Sequence, residues 1–352
     1  MYKILVINPG STSTKIAVYH DDTLVMTRCI THTAEELSPF ANVMEQFDFR
    51  KGLVLDTLCA EGVEMQFDAV IGRGGLLKPI KGGIYRVNDR MISDTYRPMR
   101  MHACNLGALI ANDIASLCNS PAYIADPGVV DELADVARIT GSAHIMRHPV
   151  WHALNHRAVA RRYAAEHNTR YETLDLVICH IGGGISVAAH HKGKAVETNN
   201  ALDGEGPFSP ERAGTLPTGD LIDFCFGGHF THAQMRRQIS GHGGIFSHLG
   251  TTDVREVEKM MAAGNSKAKL ILDAMIYQTA RYIGAAATVL YGHVDAVIIT
   301  GGVANSKYVV NELSQRISFI APISVYPGED EMQALAQNAL GVLRGEMQVE
   351  EY

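Results

Sequence analysis

Short β-branched runs alternate with polar turns in two places along the chain, and both places show the same pattern. The first extends from Lys3 to Ile30 and the second from Leu174 to Ala201. Each contains an apolar run, a turn of small residues, an alternating run, a polar turn and a third run, which is typical of a three-stranded meander. Since one meander opens each half of the chain, the repeat predicts two domains related by duplication. A chance likeness between two ordinary meanders is the alternative.

Other segments have apolar residues at helical spacing. Amphipathic helices are predicted over 101–116, 155–166, 268–290 and 331–344. The apolar run Val294–Thr300 predicts a buried strand that ends at Gly301 and Gly302. The glycine-rich segment 204–250 predicts loops. No Pro/Ser-rich linker separates the halves, so a short hinge is expected near Arg147 to Val150.

Length and composition agree with two domains that each bury a core. The chain has 352 residues, of which 46% are hydrophobic and 20% charged. A net charge of -7 lacks the basic excess expected of a nucleic-acid-binding protein. No apolar stretch approaches the ~20 residues needed to cross a bilayer. Six cysteines without a C-x-x-C pair predict buried, reduced thiols, and Met1 leads almost directly into a strand, so we expect a cytoplasmic protein without a secretory leader.

The turn from Asn8 to Lys15, NPGSTSTK, carries the strongest chemical signal. A glycine and several hydroxyl side chains at a hairpin tip can offer N–H and O–H donors to a phosphate. Lys15 adds a mobile positive charge, and Asn8 offers a neutral oxygen to Mg²⁺ or to a phosphoryl group. An ordinary polar hairpin is the alternative for this turn taken alone.

Neither common glycine-rich nucleotide motif is present. G-x-x-x-x-G-K-[ST] does not occur, and the first turn is followed by a strand pattern rather than by a helix. The second turn, Gly182 to Gly184, lacks the third glycine of a dinucleotide-binding motif and is also followed by a strand pattern. A nucleotide held by two facing hairpin turns is the remaining arrangement.

The run INPGSTSTK resembles the phosphate loop of the acetate and butyrate kinase family, within the superfamily of actin, sugar kinases and heat-shock chaperones. Nine further segments resemble that family in the same order and cover almost the whole chain. They are VIGRGG (70–75), MHACN (101–105), ADPGV (125–129), WHALNH (151–156), CHIGGG (179–184), AGTLPTGD (213–220), TTDVRE (251–256), TGGVANS (300–306) and YPGEDE (326–331). The GRGG, WHALNH and PGEDE forms are most similar to the butyrate branch.

The resemblance implies an α/β fold of two actin-like (ribonuclease H-like) domains, each a mixed five-stranded sheet flanked by helices, facing each other across a cleft. The first domain would comprise 1–148 and 331–352, because the last helix returns to it in relatives, and the second 149–330. The implied reaction transfers the γ-phosphoryl group of ATP, with Mg²⁺, reversibly to butyrate or a similar short or branched-chain acid. A homo-oligomer is expected, as in relatives, with neither nucleic-acid nor membrane partners.

Carried over residue by residue, the resemblance implies three sets of site residues. The nucleotide-binding set is Asn8, Ser11, Ser13, Lys15, His180, Gly182, Gly183, Gly184, Asp253, Arg255, Gly301, Gly302 and Asn305. The catalytic set is Arg73, His102, Asp126 and His152. Within it, Arg73 would bind the acid's carboxylate with its guanidinium fork and His152 would contact the moving phosphoryl group. Asn8, with Asp330 or Glu331, would hold Mg²⁺.

Two departures from acetate kinase accompany the resemblance. Gly183 replaces an asparagine, and Leu216 follows Gly214-Thr215 where acetate kinase has a catalytic arginine. Arg212 is a candidate replacement because it lies a few residues earlier. The pair His152 and His156 has the spacing of a zinc site, but the glutamate of H-E-x-x-H is missing.

Three other functions fit parts of this pattern. An acetate or propionate kinase would share the reaction and differ in the acid. A sugar kinase of the same superfamily would need a carboxylate general base for its hydroxyl substrate. An actin-like or chaperone-like ATP switch would have no acid substrate, and no segment here resembles a peptide-binding domain.

Overall fold

The computed structural model describes all residues from Met1 to Tyr352 and contains two compact units. The first unit comprises Met1–Val130 and Asp330–Tyr352, and the second comprises Asp131–Glu329. Residues 131–148, predicted in the first domain, are thus grouped with the second unit. Ion pairs explain this grouping, because Glu132 binds Arg157 at 3.2 Å and Arg147 binds Glu197 at 2.7 Å.

The first unit begins with six strands and four helices. They are β1 (Lys3–Pro9), β2 (Ser13–His20), β3 (Thr23–Thr31), α1 (Ala34–Leu37), α2 (Phe47–Ala60), β4 (Ala69–Arg73), β5 (Ile84–Arg86), α3 (Asp89–Thr95), α4 (Leu106–Leu117) and β6 (Ala122–Ala125).

The second unit follows with five strands and eight helices. They are α5 (Asp135–Arg138), α6 (Ala153–Glu166), β7 (Asp175–Ile181), β8 (Ile185–His191), β9 (Lys194–Thr198), α7 (Thr218–Phe226), α8 (His232–Ile239), α9 (Gly244–Leu249), α10 (Val254–Ala262), α11 (Ser266–Val289), β10 (Ala296–Gly301), α12 (Lys307–Ile317) and β11 (Ile323–Pro327). The chain then returns to the first unit with α13 (Glu331–Leu343) and β12 (Val349–Glu350).

Five strands of each sheet have the same order and orientation, which confirms the predicted duplication. The order is β3-β2-β1-β4-β6 in the first unit and β9-β8-β7-β10-β11 in the second. In both, three antiparallel meander strands are followed by two strands parallel to the first. Both second turns also place a non-glycine residue in the left-handed region, Asp21 with φ 49° and Lys192 with φ 47°.

The first sheet has seven strands rather than the five predicted, whereas the second has five as predicted. β5 pairs antiparallel with β6, and β12 pairs parallel with β5, so both additions extend the same edge. With three and two residues, they are too short to show a period-2 pattern in the sequence.

The four predicted amphipathic helices are confirmed as α4, α6, α11 and α13. The prediction of loops for 204–250 is wrong in part, because α7, α8 and α9 lie there. Thr231 and Gln234 form a capping box that begins α8. None of the residues of α7 and α8 is buried, so neither helix contributes a face to the core.

The parallel strands of the second unit are covered by helices on both faces. On β10, Val297 and Ile299 pack in one apolar cluster with residues of α11, and Ala296 and Ile298 pack in another with residues of α6. Since successive side chains of a strand point to opposite faces, burial on both sides requires the continuous apolar run seen in the sequence.

The predictions from composition have mixed outcomes. All six cysteines are free, as predicted, but only Cys104 and Cys179 are buried, and Cys29, Cys59 and Cys225 are exposed. No helix of the structure combines the length and the apolar character that a membrane span requires.

Candidate functional site

Three predicted site residues of the first unit lie where its parallel strands end. Asn8 is in the last two residues of β1, Arg73 ends β4, and Asp126 directly follows β6. The pairing of Arg73 with Ala125 aligns the ends of β4 and β6. Carboxyl ends of neighbouring parallel strands form a common edge, and α/β proteins bind ligands at that edge.

Glu331, a predicted metal ligand, contacts Asn8 of the predicted nucleotide-binding set and Arg73 of the predicted catalytic set. Its Oε2 accepts a hydrogen bond of 2.8 Å from Nδ2 of Asn8 and forms an ion pair with Nη1 of Arg73. The Glu331 side chain is only 10% exposed, whereas Asp330 is exposed and has φ 36°. A buried carboxylate requires such partners, because an unpaired charge away from water is costly. The structure therefore joins Glu331, rather than Asp330, to Asn8.

His102 and Asp126 are each held by backbone groups. Nδ1 of His102 accepts from the N–H of Cys104 at 3.2 Å, so in the neutral ring Nε2 carries the proton. Asp126 is buried, and its Oδ1 accepts from the N–H of Gly83 at 2.8 Å. Its φ of 40° lies in the left-handed region, a costly conformation for a non-glycine residue that occurs preferentially at functional sites. Burial raises the pKa of Cys104 to about 11, so this neighbouring thiol stays protonated.

Arg50 supports the first turn and is a functional candidate that the sequence analysis missed. Its fully buried guanidinium donates to the carbonyl oxygens of Gly10 at 2.8 Å, Ser11 at 3.1 Å and Ser13 at 3.1 Å. Burial lowers the pKa of Arg50 from its usual value, and no carboxylate pairs with it. Three turn carbonyls are thus directed toward Arg50, which keeps their negative ends away from an incoming phosphate.

A sequence signal for Arg50 does exist. Arg50, Val54 and Leu58 occupy the buried face of α2 at i, i+4 and i+8. An arginine on an apolar helical stripe is unusual, because arginine is seldom fully buried without partners. On the outer side of the turn, Ser11 and Lys15 are exposed. The turn therefore has a cation beneath it and a second one available to solvent.

The second turn, Gly182 to Gly184, is held by neutral donors. The carbonyl oxygen of Gly183 accepts from Oγ of Ser209 at 2.5 Å and from the N–H of Glu211 at 3.3 Å. A Cβ at position 183 would lie 3.0 Å from Oε1 of Glu211, so that carboxylate takes the space a side chain would need. Nη2 of Arg212 is 2.9 Å from the same oxygen, which places Arg212 beside this turn.

His152 and His180 stack beside the second turn. Their ring centroids are 3.8 Å apart with planes 10° from parallel. Nδ1 of His180 is 2.8 Å from Oδ1 of Asn155, whose Nδ2 donates to the carbonyl of Glu329 at 3.0 Å. That carbonyl fixes the amide orientation, so His180 is the donor to Asn155. Nε2 of His180 lies 3.5 Å from Oε1 of Glu329 and makes no hydrogen bond to it.

Four other predicted nucleotide-binding residues line one cavity of the second unit, with a volume of about 650 Å³. They are Asp253, Arg255, Gly302 and Asn305. Asp253 caps α10 and forms an ion pair of 2.6 Å with the exposed Arg255. The hydrogen bond from the Arg255 side chain lowers the pKa of Asp253 to about 2. The volume of this cavity is within the range of small-molecule binding pockets.

Gly301 does not line that cavity and has a packing role instead. Its φ is 94°, and a Cβ there would lie 2.4 Å from the carbonyl oxygen of Ile181. The glycine therefore allows β10 to end tightly against β7. His152 and His156 both contact Oγ of Ser186, at 2.8 and 2.9 Å.

Comparisons with known proteins agree with the predicted family. Residues 133–331 match the model of the acetokinase family. A probable butyrate kinase of Bacteroides thetaiotaomicron is 62% identical over 351 residues, covering 99% of each chain. Butyrate kinase 1 of Clostridium acetobutylicum is 49% identical over 354 residues, covering 100% of each. Acetate kinase of Porphyromonas gingivalis is similar in structure with a TM-score of 0.80 at 19% identity, covering 97% of this chain and 100% of that one, which confirms the predicted fold.

Proposed function

Since the chain belongs to the acetokinase family, we propose that it transfers the γ-phosphoryl group of ATP reversibly to butyrate, giving butyryl phosphate and ADP. The observation that carries this proposal is the meeting of Asn8, Arg73 and Glu331 at the carboxyl ends of parallel strands. Such a cluster offers a guanidinium fork for a carboxylate, and an amide oxygen and a carboxylate for Mg²⁺. Two whole-length relatives named butyrate kinase support butyrate as the acid.

Arg73 would bind the carboxylate of the acid. Its guanidinium is about one-third exposed and is already neutralised by Glu331 in the absence of ligands. A carboxylate substrate could use the planar fork through two parallel hydrogen bonds, which a lysine could not supply. Asp126 and His102 would position the substrates beside it.

The nucleotide would contact the glycine turn of each unit. Its adenosine would occupy the cavity of Asp253, Arg255, Gly302 and Asn305, and its phosphates would bind the Gly182 to Gly184 turn of the second unit. Ser11, Ser13 and Lys15 of the first unit would donate to the transferred group. Mg²⁺, held by Asn8 and Glu331, would neutralise phosphate charge, and these oxygen ligands suit a cation that binds one or two carboxylates together with phosphates.

No general base is required for this reaction. A carboxylic acid with a pKa near that of a glutamate side chain, about 4.3, is ionised and nucleophilic at neutral pH. Catalysis then consists of positioning and of stabilising charge on the transferred group. His152, beside the second turn, would donate a hydrogen bond to that group.

An acyl-phosphate trapping assay tests the proposal. The protein would be incubated with Mg-ATP and linear or branched acids of two to six carbons, and the acyl phosphate captured with hydroxylamine. We expect the highest kcat/KM with butyrate. A clear preference for acetate or propionate would contradict the substrate, and ATP hydrolysis without acyl phosphate from any acid would contradict the kinase function.

We also propose a cytoplasmic homo-oligomer. Ile222, Phe224 and Phe226 of α7 are 51%, 53% and 87% exposed, and a local group of exposed large apolar side chains is typical of an interaction surface. Sedimentation equilibrium should give a mass of two or more chains. A monomer over the micromolar range would contradict this part of the proposal.

A further inference from the structure

A line of five hydrogen-bonded side chains runs through the second unit and ends at His152. Its members are Tyr171, His190, His156, Ser186 and His152. Tyr171 Oη lies 2.7 Å from Nδ1 of His190, and Nε2 of His190 lies 3.2 Å from Nδ1 of His156. Oγ of Ser186 lies 2.9 Å from Nε2 of His156 and 2.8 Å from Nδ1 of His152. The first four members are buried, so the line connects the core to the ring proposed to face the phosphoryl group.

The protons of this line can be arranged in only two ways. Burial lowers the pKa of His190 to about 3 and holds that of His156 well below its usual range, so both rings are neutral near pH 7. A neutral imidazole has one N–H and one acceptor nitrogen. The Ser186 hydroxyl has one proton and two lone pairs, and one lone pair accepts from the backbone N–H of His152 at 3.5 Å, so Oγ can accept from only one of the two rings. Each member therefore donates to one neighbour and accepts from the other. All hydrogen bonds along the line are therefore donated in one direction, either toward His152 or toward Tyr171.

The Tyr171 end favours the direction toward His152. A phenolic hydroxyl is the acid of the pair, and an imidazole nitrogen is the more basic acceptor, so Tyr171 donates to His190. The charge of Arg157 acts in the same sense. Its guanidinium carbon is 5.7 Å from the Tyr171 ring centroid, and Glu132 compensates it in part from 3.2 Å. A cation at this end favours O–H and N–H bonds that point away from it.

We propose that this line of side chains fixes His152 as the tautomer with its proton on Nε2, and that Tyr171, His190, His156 and Ser186 are positioning residues for it. Ser186 donates to Nδ1 of His152, so Nε2 is left as a permanent donor. The consequence for phosphoryl transfer rests on the proposed function, whereas the tautomer itself does not. An acceptor nitrogen at the same place would oppose a negatively charged oxygen.

The stacked partner of His152 has the opposite tautomer. His180 donates from Nδ1 to Asn155, so Nε2 of a neutral His180 is an acceptor. The Nε2 atoms of the two parallel rings therefore have different roles. His152 offers a donor and His180 an acceptor, because their Nδ1 atoms have different partners. This difference makes the two rings distinguishable in a spectrum.

Nitrogen NMR of protein labelled with ¹⁵N-histidine tests the tautomer without any substrate. The signals of His152 are assigned by their loss in His152→Gln. In the wild type we expect Nδ1 of His152 to have the ¹⁵N chemical shift of an unprotonated nitrogen. Nε2 of His152 should have the chemical shift of a protonated nitrogen. A proton on Nδ1 would overturn the proposal regardless of activity.

Tyr171→Phe tests the positioning role, with Tyr163→Phe as its matched control. Both rings are buried in the same apolar cluster, but Tyr163 is not part of the line. We expect Tyr171→Phe to populate the other His152 tautomer and to lower kcat about 10-fold, less than the ~10² for loss of an oriented donor itself, with KM unchanged. Tyr163→Phe should keep the wild-type spectrum and kcat.

The outcomes separate this proposal from the proposed function. The expected spectrum without phosphorylation of any acid would leave the tautomer in place and refute the kinase activity. A Tyr171→Phe protein with unchanged tautomer and kcat would refute the positioning role. Ser186→Ala, which breaks the line beside His152, should lower kcat more than Tyr171→Phe does. If either variant does not fold, the wild-type spectrum still decides the assignment.

Discussion

The two glycine turns begin equivalent hairpins of a duplicated topology, yet the protein supports them with different chemistry. Beneath the first turn lies a buried cation, Arg50, and Lys15 adds a second positive charge on β2. Behind the second turn lie neutral groups, the hydroxyl of Ser209 and, deeper in the core, the rings of His156 and His190. The charged groups there are the half-buried Glu211 and Arg212, which balance each other, and the carboxylate of Glu329, 3.3 Å from where a Cβ of Gly182 would lie. Backbone topology has thus been kept while positive charge was concentrated at the first turn.

Arg50 can be buried because its donors are used. Nε donates once, to Gln46, and the two terminal nitrogens bind the carbonyls of the turn and Oγ1 of Thr14. Carbonyl dipoles offset part of the cost of removing a guanidinium from water, without adding a negative charge that would cancel its field. The first turn therefore keeps a net positive potential for phosphate. At the second turn, hydrogen-bond donors such as Ser209 take the place of a net positive charge.

Removal of the charge that would face the acid should have the largest effect. Arg73→Ala is expected to lower kcat about 10²–10³-fold, the typical effect of deleting one oriented donor at a transferred group. Steady-state kinetics with butyrate would measure the loss, and added guanidinium should restore part of the activity. A variant with full turnover would remove Arg73 from the mechanism.

Loss of the buried cation should come next and should appear as instability. Arg50→Met leaves the carbonyls of Gly10 and Ser11 without this donor, whereas that of Ser13 keeps the N–H of Gly10 at 2.7 Å. At about 1–3 kcal/mol for each of the two groups, we expect a loss of ~2 kcal/mol or more. Urea denaturation measures it. Lys51→Met is the control, because that neighbouring lysine makes surface ion pairs with Asp48 and Asp113 worth at most ~1 kcal/mol. Equal losses in both variants would show that Arg50 has no special role.

A side chain on the second turn should have a smaller effect. Gly183→Ala brings a Cβ to 3.0 Å from Glu211, and since a flexible side chain can shift, we expect a cost of about 1 kcal/mol. Gly284→Ala is the control, because its Cβ meets nothing within 4 Å in α11 and the change should stabilise that helix by ~1 kcal/mol. Relief of the Gly183→Ala cost by Glu211→Ala would confirm the contact, and an unrelieved cost would contradict it.

The sequence predicts those parts of this comparison that are local. Two meanders, their turns and the strand ends follow from period-2 patterns and small residues, and the family resemblance adds Glu331 as a metal candidate. The side chains that support the two turns could not be predicted in the same way. Arg50 reaches Gly10 across 40 positions, and His156 reaches His190 across 34, so only the folded chain shows these pairs. Whether the two turns face one another stays a prediction.

Mild acid should lower the free energy of unfolding by about as much as Gly183→Ala does, and it should separate a neutral support from a charged one. His190 has its pKa lowered to about 3 by burial, so the unfolded chain, with a histidine pKa of about 6.5, binds its proton first. The contribution of His190 to the free energy of unfolding is complete above pH ~6.5. It declines by about 1 kcal/mol for each pH unit below that. Arg50 stays charged throughout this range. Urea midpoints at pH 7 and 5.5 would measure the decline.

His190→Gln should reduce that decline, since the titrating ring is gone. Tyr163→Phe removes no group that titrates between pH 5.5 and 7 and should keep the wild-type decline. Burial also lowers the pKa of His156 in the same line and of His32 in the first unit, so part of the decline will persist in His190→Gln. A decline of the same size in wild type and His190→Gln would mean that His190 is hydrated or already protonated. The neutral line behind the second turn would then not exist in solution.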